Sequence, residues 1–233
     1  MADVGLVIPA AGSGQRLGAS GAKALVPVCG RPLLAWTLSA FDGFHEIGER
    51  VVLTPPGQES VFRERVSASV TLERDVEYVS GGEERQASVR AGLGRLTGKS
   101  RWVLVHDGAR PLVSGTLVRR VLDVLKRGEA VIPALPPRES VARVGFESWV
   151  KSYEDRSKLL LVQTPQGFHL PVLEYAFAKA ENDRFHGTDE ASLVLRANHP
   201  VSWIEGDPEN LKVTYPHDLL LAEMILRRRS GSA

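Results

Sequence analysis

The chain has 233 residues, enough to bury the core of one domain, and its formal net charge is only +1. This near-neutral balance argues against a protein that holds nucleic acid by bulk positive charge, so any phosphate binding has to be local. Cys29 is the single cysteine, which excludes a disulfide framework and a cysteine-based metal site. No stretch approaches the roughly 18 consecutive apolar residues that span a bilayer. We therefore expect a cytoplasmic protein that binds neither nucleic acid nor a membrane.

Strand-like and helix-like segments alternate along most of the sequence, which is typical of an α/β fold. The strand-like runs are apolar without clean alternation, as expected where helices cover both faces of a parallel sheet. We predict a single Rossmann-like three-layer domain over 1–233, with a mostly parallel sheet that binds ligands at the carboxyl ends of its strands. The predicted strands are 5–9, 50–53, 76–79, 102–106, 130–134 and 201–205, and the predicted helices lie near 33–40, 59–67, 84–96, 115–126, 171–181, 189–196 and 217–229.

The first predicted strand runs into a loop of small residues that ends at Arg16, and its glycines leave backbone amides open to an anion. Two familiar phosphate loops do not fit. A P-loop needs Lys-Ser or Lys-Thr after its final glycine, where this chain has Gln15 and Arg16, and the dinucleotide pattern needs a glycine where Leu17 stands. A tight turn without a ligand is the alternative for the loop alone. Lys23 adds a second cation one short loop further on, which favours a phosphate pocket.

Two further loops follow predicted strands and carry charged side chains. The loop Gly82-Glu83-Glu84 leaves one strand and opens a helix, and helix capping explains its carboxylates as well as ligand binding does. In the second loop, Asp107 ends a buried-looking strand and Arg110 follows three residues later. Asp107 is well placed for a metal or a sugar hydroxyl, and Arg110 suits a bidentate phosphate contact. A loop held together by their ion pair is the alternative.

The α/β rhythm breaks between 136 and 166. Apolar and polar residues alternate there on both sides of a turn that contains a glycine, which predicts a projecting β-hairpin. We call this segment, at about 137–163, the β-arm. A two-stranded arm is marginal in water by itself, so we expect it to pack against a partner.

Five blocks, in order along nearly the whole chain, resemble the 2-C-methyl-D-erythritol 4-phosphate cytidylyltransferase family of the non-mevalonate isoprenoid pathway. They are the P-A-A-G-x-G-x-R loop followed by a lysine, the Gly-Gly-Glu loop, the H-D-x-A-R-P block, the β-arm and the segment 210–214. The resemblance implies transfer of CMP from CTP to 2-C-methyl-D-erythritol 4-phosphate, giving 4-diphosphocytidyl-2-C-methyl-D-erythritol and pyrophosphate. It also implies a homodimer formed through the β-arm.

The resemblance further assigns roles to individual residues. The catalytic residues that it implies are Arg16, Lys23, Asp107 and Lys212. The CTP-binding residues are Pro9, Ala10, Ala11, Gly12, Ser13, Gly14, Arg16, Lys23, Gly82, Glu83 and Ser88. The residues that bind the polyol phosphate are Asp107, Arg110, Ser140, Arg156, Thr164, Thr188 and Lys212, with Arg156 reaching the substrate of the neighbouring subunit. Glu83 stands where the family often has aspartate, and Ser140 where it usually has threonine.

The implied reaction needs no general base, because a phosphate monoester has a second pKa of about 6 and is already ionised. The enzyme then has to position the in-line attack on the α-phosphorus and neutralise charge. We expect Mg²⁺ or another divalent cation, held mainly by the CTP phosphates, with Asp107 as a candidate ligand. No histidines have metal-ligand spacing, and His106 is expected to be structural.

Three alternatives stay open. The nearest is a cytidylyltransferase for another polyol phosphate such as ribitol 5-phosphate, which the fold cannot separate from the first reading. A sugar-1-phosphate nucleotidyltransferase would not explain the H-D-x-A-R-P block and the β-arm together. A non-catalytic nucleotide-binding regulator would keep the phosphate loop but need not keep Lys23, Asp107, Arg110 and Lys212.

Overall fold

The computed structural model of the protein describes residues 2–18, 21–128 and 130–231. Over these residues the chain forms twelve strands and seven α-helices. The strands are β1 (Val4–Pro9), β2 (Pro27–Val28), β3 (Arg31–Pro32), β4 (Ile47–Thr54), β5 (Glu77–Ser80), β6 (Trp102–Val105), β7 (Ala130–Leu135), β8 (Ala142–Val144), β9 (Val150–Tyr153), β10 (Leu161–Val162), β11 (Gln166–His169) and β12 (Ser202–Glu205). The helices are α1 (Leu33–Asp42), α2 (Glu59–Ser67), α3 (Arg85–Leu93), α4 (Gly115–Leu125), α5 (Leu170–Asn182), α6 (Glu190–Arg196) and α7 (Pro216–Arg229).

Eight strands form one mixed sheet, in which β10, β7, β11, β6, β1, β4 and β5 are neighbours in that order and β12 pairs with β7. β6, β1, β4 and β5 run parallel to one another, whereas β11 lies antiparallel between β6 and β7. The mostly parallel sheet is therefore confirmed. β11 was not predicted, because its four residues, Gln166–His169, include a glycine and have no apolar run.

Helices cover both faces of the sheet, and the alternation of side chains along β1 shows it. Leu6 and Ile8 belong to the apolar core that packs under α1, α2 and α4, whereas Val7 belongs to the core under α3, α5 and α6. All three side chains are fully buried. This arrangement explains why the strand sequences are apolar on both faces, and it confirms the three-layer prediction.

The carboxyl ends of the parallel strands meet at one edge of the sheet. The N–H of Gly81, just after β5, donates to the Thr54 carbonyl at the end of β4 (2.7 Å), and the N–H of Gly108 donates to the Pro9 carbonyl at the end of β1 (3.3 Å). A smaller apolar cluster, in which α7 packs against Leu17, supports the same edge. The three loops singled out in the sequence therefore lie side by side.

The β-arm contains a hairpin of its own, in which β8 pairs antiparallel with β9 in a separate two-stranded sheet. The hairpin is shorter than the predicted 137–163, because β10, within that range, pairs with β7 of the main sheet. Large apolar side chains of the hairpin are exposed, with Phe146 at 84%, Trp149 at 76% and Tyr153 at 73% of their surface.

Candidate active site

A cleft of about 320 Å³ opens at the carboxyl edge of the parallel strands. Its walls are formed by the phosphate loop, the start of α3, the segment after β6 and the loop that contains Lys212. The residues predicted from the sequence that line it are Pro9, Ala10, Ala11, Gly12, Arg16, Lys23, Gly82, Glu83, Ser88, Asp107 and Lys212. The cleft therefore brings together segments that lie far apart in the sequence.

The phosphate loop is shaped by Gly14, which adopts a left-handed conformation with φ of +72°. A Cβ at this position would lie 3.2 Å from Cβ of Lys23, so glycine is required both by the backbone conformation and by the approach of the next segment. The N–H of Lys23 donates to the Gly12 carbonyl (3.0 Å), which fixes the lysine beside the loop. Gly14 and the neighbouring Ser13 do not line the cleft; Gly14 supports it from behind.

Four cationic side chains line the cleft, namely Arg16, Lys23, Arg85 and Lys212, and the lowered pKa of Lys23 reflects the crowding around its amine. Burial, followed by the positive charges of Lys212 and Arg16, lowers the pKa of the Lys23 amine to about 8, although Asp107 opposes the shift. An anion that enters the cleft stabilises the charged form of Lys23. The side-chain charges of the cleft therefore favour an anion, as its backbone amides do.

The second loop lies close against the first turn of α3. A Cβ on Gly82 would meet the Ala87 side chain at 2.6 Å, and the Gly82 N–H donates to the Ser88 hydroxyl (3.1 Å). The carboxylate of Glu84 makes no capping hydrogen bond to α3 and instead contacts Nδ1 of His186 (2.8 Å). Glu84 is nevertheless the N-cap residue of α3, so the interpretation of its charge as part of the helix start stays open beside ligand binding.

Asp107 is the charged centre of the site. Its Oδ2 lies 3.0 Å from Nζ of Lys212 and 3.4 Å from Nε of Arg110, and its Oδ1 lies 3.3 Å from Nε of Arg85. Burial opposes ionisation of this carboxyl, but Lys212, Arg85 and Arg110 together hold its pKa well below the ordinary range. Asp107 is therefore a carboxylate that accepts hydrogen bonds and cannot serve as a proton donor near neutral pH.

His106 and Thr164 support Asp107 from behind the cleft. The Asp107 N–H donates to the Thr164 hydroxyl (3.1 Å), which lies 3.0 Å from Nδ1 of His106, and Nε2 of His106 lies 3.3 Å from the Arg110 carbonyl. Burial is the main cause that lowers the pKa of His106 to about 3, so the ring is neutral. A neutral ring satisfies both contacts if the threonine donates to Nδ1 and Nε2–H donates to the carbonyl. The structural role expected for His106 fits this geometry.

Arg85 and Glu190 were not identified from the sequence. Both terminal nitrogens of Arg85 contact the Glu190 carboxylate, at 2.6 and 2.9 Å, while Nε faces Asp107. Burial raises the pKa of Glu190, and the paired guanidinium opposes that rise. The two residues are 105 positions apart, so no local pattern could show their pairing. The one signal available in the sequence was Glu190, a charged residue in the first turn of α6, on a helix face that is otherwise apolar.

Some residues that the resemblance implied lie outside the cleft. Arg110 is buried and donates to the Asn210 carbonyl (2.8 Å), and the Thr164 hydroxyl is engaged as described. Thr188 is exposed just before α6, whose N-cap is Asp189 in a capping box with Ser192. Ser140 and Arg156 are exposed in the β-arm. Their substrate contacts stay predictions.

The chemistry of the donor groups bears on a divalent cation. Among the described residues, no group of three or more His, Cys, Asp or Glu side chains could hold a metal ion. Asp107 is the buried carboxylate that lines the cleft. Mg²⁺ commonly binds through one or two carboxylates together with substrate phosphates and water, so one aspartate fits a cation that arrives with a nucleotide.

Comparison with known proteins covers almost the whole chain. The model of the family described as 2-C-methyl-D-erythritol 4-phosphate cytidylyltransferase matches residues 4–228. The chain belongs to this family. The cytidylyltransferase of Synechococcus elongatus is 39% identical over 228 residues, which cover 98% of each chain. That of Syntrophus aciditrophicus is 37% identical over 225 residues, covering 97% of this chain and 96% of the relative.

Solved structures of the cytidylyltransferase family share the fold. The crystal structure of the Thermus thermophilus cytidylyltransferase superposes with a TM-score of 0.78 at 37% identity, covering 97% of this chain and 99% of the other. The 4-diphosphocytidyl-2C-methyl-D-erythritol synthase of Anaerococcus prevotii superposes with a TM-score of 0.84 at 27% identity, covering 97% and 98%. The family match spans every residue of the cleft and the β-arm. No helix in the described part of the chain is long and apolar enough to cross a membrane.

Proposed function

We propose that this cytidylyltransferase transfers CMP from CTP to 2-C-methyl-D-erythritol 4-phosphate and releases pyrophosphate. The observation that carries the proposal is the convergence of Arg16, Lys23 and Lys212 with the ionised Asp107 in one cleft, in a chain that belongs to this family. Cations there match two phosphate-bearing substrates that must approach each other.

The triphosphate lies in the phosphate loop, beside Arg16 and Lys23. Backbone amides of Ala11 and Gly12 and the two cations bind its oxygens, and the same cations stabilise the charge that develops on the leaving pyrophosphate. Lys23 supports this role because its pKa is lowered in the free cleft, and an anion restores the charged form. The α-phosphorus then faces the acceptor for in-line attack.

The acceptor lies on the side of Asp107 and Lys212. Lys212 is partly exposed and contacts Asp107, so its ammonium can bind the attacking phosphate while the carboxylate accepts a hydrogen bond from a polyol hydroxyl. No general base is required, because the acceptor phosphate is already ionised at neutral pH. Arg110, Thr164 and Thr188 belong to the same proposed acceptor region.

The base of the nucleotide lies against the loop before α3. Gly82 and Glu83 line that end of the cleft, and the Ser88 hydroxyl is bonded to Gly82. A backbone carbonyl and a carboxylate are acceptors, which suit the exocyclic amine of cytosine and disfavour the carbonyl of uracil. This difference supports CTP as the nucleotide.

A divalent cation accompanies the nucleotide in the proposed reaction. Asp107 is the residue of this chain that would contribute to holding it, and the CTP phosphates supply most of the remaining ligands. When bound, Mg²⁺ neutralises charge on the triphosphate. Lys212 and Arg85 already contact Asp107, so the aspartate has at most a minor share in binding the metal.

The β-arm is the proposed contact between two subunits of a homodimer. The exposed side chains of Phe146, Trp149 and Tyr153 support it, because large apolar groups grouped on a two-stranded hairpin are typical of a surface that another chain covers. Arg156 and Ser140, in the same arm, then belong to the neighbour's acceptor site. We further propose that residues 1–233 act as one domain in the cytoplasm, where a chain with one cysteine is at home.

The decisive experiment is a pyrophosphate-release assay with CTP and Mg²⁺ and either 2-C-methyl-D-erythritol 4-phosphate or ribitol 5-phosphate as acceptor. We expect turnover with the first and little with the second. A preference for ribitol 5-phosphate would identify a different cytidylyltransferase. Calorimetry that shows CTP binding, with no turnover of any acceptor, would identify a non-catalytic regulator.

A further inference from the structure

We propose that Glu190 is a positioning residue that acts through Arg85 to set where Asp107 and Lys212 stand in the cleft. The inference rests on the proposed function, since it concerns the acceptor side of that reaction. Glu190 does not line the cleft, and the sequence pattern and the implied family roles leave it out.

The contacts of Arg85 carry the argument. Its two terminal nitrogens form a bidentate pair with Glu190, at 2.6 and 2.9 Å, and only Nε is left to face Asp107, at 3.3 Å. A guanidinium prefers to bind a carboxylate with two parallel N–H groups. Glu190 therefore occupies the fork that would otherwise bind Asp107, and restricts Arg85 to one oxygen of that aspartate.

The division of Asp107 oxygens follows from this restriction. Oδ1 faces Arg85, which leaves Oδ2 for Lys212 at 3.0 Å and for Arg110 at 3.4 Å. If the fork of Arg85 were released, it could pair with both oxygens and draw the carboxylate away from Lys212. The acceptor would then meet a displaced aspartate and a lysine without its partner.

Glu190 is itself held in place by the start of α6. The residue is 1% exposed, and it follows Asp189, which caps the helix by accepting from the Ser192 N–H (2.9 Å). Gln166 of β11, also buried, donates to Asp189 (2.7 Å) and accepts from the N–H of Ala191 (3.2 Å). The two contacts of Gln166 anchor the first turn of α6 to the main sheet. The fold therefore fixes the position of Glu190, and Glu190 in turn can fix Arg85 and Asp107.

The effect should fall on the acceptor and spare the nucleotide. Glu190 contacts Arg85, which contacts Asp107, whereas Lys23 is fixed by the phosphate loop through the Gly12 carbonyl. Glu190→Gln keeps the shape but places an amide nitrogen against the guanidinium, which breaks the bidentate pair. We expect KM for the methylerythritol phosphate to rise and its kcat/KM to fall by about 10- to 100-fold, the range known for loss of a group that orients a ligating residue. KM for CTP should stay near that of the original chain.

The experiment measures both KM values and kcat for the original chain, for Glu190→Gln and for Asp42→Asn. Asp42 is the matched control, because it is the carboxylate partner of the buried Arg50 and lies outside the cleft. The control shows what the loss of a buried ion pair does in general. A fall in kcat with both KM values unchanged in Glu190→Gln, as partial unfolding would give, overturns the proposal.

A double-variant cycle tests the route through Arg85. If Glu190 acts through Arg85, Glu190→Gln lowers kcat/KM strongly in the original chain and little further in an Arg85→Gln background. Losses that multiply overturn the proposal. If Glu190→Gln does not fold, Glu190→Asp replaces it, because aspartate keeps the charge but has a shorter side chain. We again expect a higher KM for the acceptor and an unchanged KM for CTP, with a smaller effect. Unchanged kinetics in Glu190→Asp would overturn the proposal. An original chain that does not turn over these substrates refutes the proposed function instead.

Discussion

The lowered pKa of Lys23 makes the affinity for the nucleotide depend on pH in a predictable direction. Burial and the neighbouring Lys212 and Arg16 bring this pKa to about 8, well within reach of an assay. In the proposed function, the charged amine is the form that binds the triphosphate. We therefore expect the affinity to be highest well below pH 8 and to fall as the pH rises through that value.

The size of the effect follows from the titration. With a pKa of about 8, Lys23 is about nine-tenths charged at pH 7 and about one-tenth charged at pH 9. We expect kcat/KM for CTP, which reports the free enzyme, to fall by about tenfold between these values. The fall in kcat should begin at higher pH, since bound phosphates stabilise the ammonium and raise its pKa.

The assay is pyrophosphate release at saturating acceptor, with CTP below its KM, from pH 6.5 to 9.5. Lys23→Arg is the informative control, because a guanidinium keeps its charge over this range. In Lys23→Arg, the fall in kcat/KM at high pH (the basic limb of the profile) should disappear, even if the rate is lower at every pH. A basic limb that stays in place with the same midpoint in Lys23→Arg would refute the assignment to Lys23.

Three further predictions concern the same cleft. Lys23→Met should lower the turnover rate by about 10²- to 10³-fold, as loss of one charge-stabilising group typically does. Thermal unfolding of this variant should show no loss of stability. Near-normal turnover would remove Lys23 from the mechanism. Gly14→Ala should lower the free energy of unfolding by about 1–2 kcal/mol and weaken CTP binding, whereas Gly98→Ala, at φ +81° with open space around it, should show the strain alone. If Arg156 acts across a dimer, a mixture of inactive Arg156→Ala and inactive Lys23→Met chains should recover activity. If subunit exchange is proven and no activity returns, the contact of Arg156 lies within one chain.

Local patterns were enough to predict the loop to which the proposed function assigns the nucleotide. Small residues after a strand, with Arg16 and Lys23 close by, predict an anion loop, and the alternation of strands and helices predicts where that loop lies on the sheet. Asp107 and Lys212 needed the family resemblance, because a single charged residue at a strand end or in a loop is common. The structure brings both into the same cleft.

The sequence did not predict the contacts between distant segments. Arg85 and Glu190 meet only because α3 and α6 pack on the same face of the sheet. Thr164 was assigned to the substrate by resemblance, and its hydroxyl in the structure lies between His106 and the Asp107 backbone. Such pairings depend on the three-dimensional approach of buried polar groups, which have no periodicity along the chain.

The balance of charge links the stability of the protein to its function. Over the whole chain the net charge is only +1, as a protein with local phosphate binding should have. Around the cleft lie five positive groups, two buried carboxylates (Asp107 and Glu190) and two exposed ones (Glu83 and Glu84); the positive groups are Arg16, Lys23, Arg85, Arg110 and Lys212. The buried carboxylates are already paired, so the small excess of positive charge remains for the ligands.

Lys23 shows what that excess costs. Its pKa is lower in the folded chain than in an unfolded one, so at neutral pH the charged amine opposes folding, and this opposition is relieved as the pH rises from about 8 towards the ordinary lysine value. A binding cleft of this kind is less stable than a neutral one would be. In the proposed function, each phosphate that enters removes part of the repulsion, so the charges that weaken the free protein are the ones that bring two anionic substrates close enough to react.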